Sequence, residues 1–124
     1  MNTCAEKEIT INGIVYVPKS HAPAEIFEGM EYKIVRTYSA GVFAGYIEEV
    51  SEDGKQVTMR QAIRLHTWQG AASLSQMAME GTNKPDECNF AMPVYKIIVT
   101  EAIERIDCTR KAQESIQGVK SWKV

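Results

Sequence analysis

A chain of 124 residues with 44% hydrophobic and 24% charged side chains fits one globular domain of ordinary size and excludes a disordered or fibrous class. The formal charge of -2 argues against a strongly basic, sequence-blind nucleic-acid binder, although it is compatible with a local basic face. Cys4, Cys88 and Cys108 are widely spaced and form no CxxC pair, which predicts free thiols in a reducing cytoplasm, no disulfide framework and no zinc site.

In chain order, MNTCAEKEIT lacks the basic-then-apolar order of a signal peptide, and no later stretch approaches the roughly 18 apolar residues of a membrane span. The alternation in ITINGIVYVP (9–18), split by Asn12-Gly13, predicts a short hairpin with a type I′ turn. KSHAPAEIFEGME (19–31), which contains His21, reads as a connector. YKIVRTY (32–38) and VFAGYIEEV (42–50) alternate as strands around SAG (39–41). Gly45 marks a bend or bulge. SEDGK (51–55) is a turn with Gly54 as its left-handed residue, and QVTMRQAIRLHTW (56–68) is the next strand. Gly70 reads as the N-cap of a helix over 71–80 that ends at Gly81. A loop (81–93), a β-branched strand VYKIIVT (94–100) and a second strand AIERI (102–106) follow. Thr109 then caps a helix over 110–117, docked by Ala112 and Ile116.

These elements predict a mainly β (α+β) single domain over 1–124. It comprises an N-terminal hairpin and connector (1–31), a core (32–106) with helix 71–80, and a C-terminal helix (109–118). The strand pattern of 32–65 resembles that of small antiparallel SH3-like and Sm-like barrels, which is the expected architecture.

Catalytic motifs are missing: there is no HExxH, GxSxG, P-loop or GxGxxG, and the two histidines have no cysteine near them in sequence. Neither a catalytic residue, a metal ligand nor a cofactor is expected. Glu48, Glu49, Glu52 and Asp53 read as a solvated hairpin tip. If 57–68 is one continuous strand, period two puts Val57, Met59, Ile63 and Leu65 on a core face, interrupted only by Gln61. The opposite face then carries Arg60, Arg64, His66 and Trp68, a basic row with an aromatic end. That suits an anionic ligand with a flat ring, because Arg pairs bidentately with phosphate and Trp stacks. It equally suits a solvated face with Trp68 tucked under the next helix. The first turn of helix 71–80 adds open N–H groups after Gly70 and the hydroxyls of Ser73 and Ser75, an anion site in waiting. Tyr38 and Phe43, at the first hairpin tip, stack on a base or close the core. Ala71, Leu74, Met77 and Ala78 form an inward stripe. The uncharged second stripe containing Ala72, Gln76 and Met79 predicts a subunit interface and hence a homo-oligomer.

The runs RTYSAGVFAGYIEEV, RLHTWQGAASLSQMAMEGTNKP and IIVTEAIERI resemble a family of small proteins encoded by tailed bacteriophages and prophages, over roughly residues 32 to 122. That family has no assigned chemistry, so the resemblance carries no catalytic or binding residue across. It implies a phage-encoded protein acting in the cytoplasm of the infected bacterium. Small phage accessory proteins without catalytic motifs often act by binding, and one class sequesters nucleotide signals of bacterial immunity. The expected function is therefore non-enzymatic capture of a small phosphorylated ligand of the cyclic-nucleotide or ADP-ribose type, with no membrane partner. An Sm-like oligomer on single-stranded RNA or DNA, and a phage structural or assembly protein, are the alternatives.

Overall fold

The structure, a computed structural model, describes the backbone of Ile9–Ile11 and Ile14–Tyr16 and all of residues 22–124. β1 (Ile9–Ile11) and β2 (Ile14–Tyr16) pair antiparallel as a separate two-stranded sheet, Ile11 opposite Ile14. The Asn12-Gly13 turn, His21 and Cys4 lie outside the described residues.

The main sheet is antiparallel and has six strands. They are β3 (Glu31–Thr37), β4 (Val42–Val50), β5 (Val57–Thr67), β6 (Asn89–Phe90), β7 (Val94–Val99) and β8 (Ala102–Asp107). Their order is β6-β5-β4-β3-β8, and β7 also lies along β5. β5 is long enough to serve two partners on one side: β7 pairs with Val57–Ala62, and β6 with Leu65 and Thr67. The short link between β7 and β8 is tied down at both ends of its turn. Tyr38 N–H donates to the Glu101 carbonyl and Ala102 N–H to that of Lys55, at 2.9 and 2.8 Å.

The strand boundaries follow the alternation closely, but the faces do not. Ala44 pairs with Ile63 and Tyr46 with Arg60, so Gly45 alone on β4 faces both Gln61 and Ala62 on β5. This is a β-bulge, and Gln61 adopts φ +52 within it. Gly45 is needed because a Cβ there would lie 3.0 Å from the Ala62 Cα and the Arg60 carbonyl. The extra residue reverses the alternation beyond it. Val57, Met59 and Ala62 share one core with Val35, Phe43, Val99 and Ala102. Ile63 and Leu65 instead join the opposite core with Tyr32, Ile34 and Ala44. The expectation of one continuous face is corrected accordingly.

The second core is covered by α1 (Leu74–Glu80) and α2 (Arg110–Gly118). Thr109 is the N-cap of α2, accepting from Ala112 N–H, and Ala112 and Ile116 are fully buried beneath it as their spacing predicts. The first helix is shorter than expected. It begins at Leu74, because Ser73 is its N-cap: the Ser73 hydroxyl accepts from Gln76 N–H, and the Gln76 side-chain oxygen accepts from Ala72 N–H at 2.7 Å. Gly70, the expected cap, serves a close approach instead, with Lys84 N only 2.7 Å from where a Cβ would stand.

Candidate functional site

The expected constellation is not assembled. Arg64 pairs with Phe43 and Arg60 with Tyr46, and Phe43 and Tyr46 face opposite sides of β4, so the two arginines project from opposite faces of the sheet. Arg64 lies with its guanidinium carbon 4.8 Å from the Phe43 ring centre, at a small cleft of about 70 Å³ that includes Met92 and Val94. Phe43 is only 1% exposed and closes the core, so it offers no stacking surface, whereas Tyr38 is 77% exposed at its hairpin. His66 stacks on Trp122, centroids 5.1 Å apart and planes 14° apart, and the Trp122 N–H donates to the Phe90 carbonyl. Trp68 is half-buried against the helix-side core.

The α1 N-terminus is likewise occupied by its own residues. Ser73 caps it, Gln76 takes the Ala72 N–H, and Gly70 accepts from Asn83 N–H. Ser75 is exposed. Of the expected interface residues, Ala72 and Met79 are exposed, and Gln76 is held by the capping bonds and by Glu80.

A different site emerges on the helix-bearing face, at the bulge. A cleft of about 370 Å³ is lined by Phe27, Tyr46, Gln61, Ile63, Pro93 and Gln117. Its volume falls within the range of small-molecule sites. The walls come from five segments, and buried Gln113 on α2 ties three of them together, the connector, β4 and α2 itself. The Gln113 side-chain oxygen accepts from Glu25 N–H at 2.8 Å, and its amide N–H groups donate to the Glu25 carbonyl and the Tyr46 hydroxyl. The connector is also stitched to the start of α2 by Ala24 N–H to the Cys108 carbonyl and Arg110 N–H to that of Ala22. Phe27 is thereby set 5.2 Å from Tyr46, which in turn meets Tyr32 edge-on at 5.0 Å.

The polar groups are few and specific. The Tyr46 hydroxyl oxygen accepts from both Gln113 and Gln117, at 3.1 and 3.2 Å, which leaves its hydrogen to donate. Arg60 is not part of the lining but lies directly opposite Tyr46 and next to Gln61 in β5. Its guanidinium donates to Glu48 at 3.2 Å and to the Tyr95 hydroxyl at 2.9 Å, and its Nε is buried without a partner. Lys96 also reaches Glu48, at 3.4 Å, so two cations share that carboxylate. The hydrogen bond from Arg60, aided by Lys96, holds the Glu48 carboxyl below the usual carboxylate range. Glu48 is therefore part of an ion-pair cluster, while Asp53 shapes its turn by accepting from the Ser51 hydroxyl and Lys55 N–H.

Of the residues expected from the sequence, Arg60 lies next to this cleft's lining in β5, whereas Phe27, Tyr46, Gln61 and Gln117 were not among those expected. Gln61 alone left a signal, as the one polar residue on an otherwise apolar row. Among the described residues, no group of three or more His, Cys, Asp or Glu side chains converges, and no helix is long and apolar enough to cross a membrane.

Fold and cleft together define a small, mostly β, α+β domain with a ligand-sized depression on its helix-bearing face. The chain belongs to the family described as Domain of unknown function (DUF6948), which matches residues 30–116. No curated protein matches the chain, and neither does any solved structure.

Proposed function

We propose that this is a phage-encoded, non-enzymatic protein that captures a small phosphorylated ligand in the host cytoplasm, a cyclic-nucleotide or ADP-ribose-type signal of anti-phage immunity. The observation that carries this reading is the cleft walled by Phe27 and Tyr46, which offers an aromatic surface to a flat ring, with Arg60 opposite Tyr46 supplying a guanidinium that would exchange Glu48 for phosphate. Its lining has amides and a phenol but no nucleophile–base pair, which favours retention over turnover. The sequence resemblance to phage proteins supports the origin, and the exposed, uncharged Ala72 just before α1 and Met79 on it support a homo-oligomer.

We also read the sheet as an SH3-like or Sm-like barrel. β7 and β8 follow one another yet pair with β5 and β3, and five strands contribute to the core that contains Phe43 and Met59. That arrangement supports a second occupant, single-stranded RNA or DNA, whose affinity would rise with strand length and fall steeply with salt.

Calorimetry against cyclic di- and trinucleotides, ADP-ribose isomers and short oligonucleotides tests both readings. Arg60→Gln is expected to weaken a bound phosphorylated ligand roughly 10- to 100-fold, and Arg64→Gln to leave it unchanged. Binding by none of these compounds, or equal sensitivity to the two substitutions, would overturn the assignment.

A further inference from the structure

Among the described residues, three non-glycine residues have a left-handed backbone, Glu28, Gln61 and Glu101; Glu28 neighbours a cleft residue and Gln61 is one. Glu28 follows Phe27 in the turn closed by the Phe27–Met30 bridge, and Gln61 lines the cleft itself. A side-chain-bearing residue held at φ +52 costs stability, and such outliers persist where the surrounding structure enforces them. At Gln61 a glycine would occupy the bulge without that cost, so the bulge alone does not explain a glutamine. What the glutamine adds is a carboxamide at the rim of an aromatic-walled cleft, one donor and one acceptor side by side and uncharged.

We infer that Gln61 is a specificity-determining residue that reads the N7 edge of a purine ring carrying an amine donor beside that acceptor, which is the edge adenine presents. This rests on the proposed function, and it names the part of the ligand that the aromatic walls would hold. A carboxamide pairs bidentately with the N7 edge of adenine, donating to N7 and accepting from the exocyclic amine. The Tyr46 hydroxyl hydrogen, left free by the two amides that donate to its oxygen, supplies a further donor on the same wall. Arg60, one residue from Gln61 and paired with Glu48, would neutralise the phosphate of such a ligand by exchanging that carboxylate for it. A cleft of about 370 Å³ suits one nucleotide unit rather than a strand.

The test measures binding of adenosine monophosphate, inosine monophosphate and ribose 5-phosphate to the full chain and to Gln61→Gly, with melting temperatures recorded alongside. On that edge inosine presents two acceptors, N7 and the 6-carbonyl, which no rotation of the carboxamide can satisfy together, so the unaltered protein is expected to prefer the adenine nucleotide by about tenfold or more. Gln61→Gly is expected to melt no lower than the unaltered protein, since glycine relieves the left-handed backbone, while its preference for adenine over hypoxanthine disappears. A residue serving the bulge alone would leave that preference intact on substitution. Equal binding of the two nucleotides by the unaltered chain, or an unchanged preference in Gln61→Gly, overturns the inference and leaves the proposed function standing. Binding of none of the three overturns the inference; the proposed function falls with it only if the wider ligand panel is also silent.

Discussion

Replacing Gly81 by alanine should unlock the junction between the two helices, because two separate penalties meet there. Gly81 ends α1 at φ +73 and ψ -152, a region that residues with side chains scarcely enter, and its N–H donates to the Met77 carbonyl at 2.9 Å. A Cβ at this point would also collide with the Cβ and hydroxyl of Ser115 on α2. That serine is itself engaged, accepting from Thr82 N–H at 3.0 Å. Backbone strain of this kind costs about 1–3 kcal/mol, and overpacking costs a similar amount, so a loss of about 3 kcal/mol is expected. At about 2.1 cal/mol/K of unfolding entropy per residue, 124 residues give about 0.26 kcal/mol/K, and Tm should fall by about 12 °C. Gly54→Ala is the control. Gly54 has φ +78 with nothing within 4 Å of its ideal Cβ, so only the backbone cost of about 1 kcal/mol applies, or about 4 °C. Calorimetric melts of both variants, together with Gly81→Ala/Ser115→Gly, separate strain from collision. The double variant should recover about 1 kcal/mol or more relative to additivity. Equal losses in the two glycine variants would refute the packing argument.

Two further outcomes follow from the same junction and the core beside it. The Thr109 hydroxyl accepts from Ala112 N–H at 3.1 Å and donates to the Met79 carbonyl at 2.7 Å, so Thr109→Ala should cost about 2 kcal/mol in urea unfolding and Thr109→Ser much less; equal midpoints would contradict this double role. Burial pushes the Cys108 thiol up to about 12 from an ordinary 9.0, and Tyr32 is raised in the same direction by the same cause. A folded-state value above the unfolded one means that this contribution is complete below pH 9.0 and is lost as pH rises towards about 12. Cys108→Ala should therefore flatten the fall of stability above pH 9.0, and an unchanged slope would show that the thiol ionises freely in the fold.

Much of the architecture was legible because it depends on local rules. β4 runs over Val42–Val50 as its alternation indicates, and Thr109 caps α2 because a threonine at that point satisfies an otherwise open N–H. The first helix was misplaced by three residues because the Ser73–Gln76 capping pair competes with Gly70 and wins: it satisfies two donors where glycine satisfies none. The cleft was not legible, since its walls depend on Gln113 reaching back 88 residues to Glu25 and on α2 lying across β4. No local pattern encodes that encounter.

The face error and the candidate site share one cause. Period-two reasoning assumes every residue of β5 advances the pleat by one step, and Gln61 does not. Its insertion sends Arg64 to one side of the sheet and leaves Arg60 on the other, beside Tyr46. Without the bulge, Arg60 would share a face with Arg64, and Ile63 would leave the cleft floor for the opposite core. Gly45 makes the insertion sterically possible, with the β5 backbone 3.0 Å from where its Cβ would be. Gly45→Val should therefore do more than destabilise: by pressing on Ala62 and the Arg60 carbonyl, it should displace the bulge and, with it, the arginine and the carboxamide together. A ligand bound at this cleft would then lose its phosphate contact and its base discrimination in a single substitution. Ligand bound anywhere else on the domain would keep both.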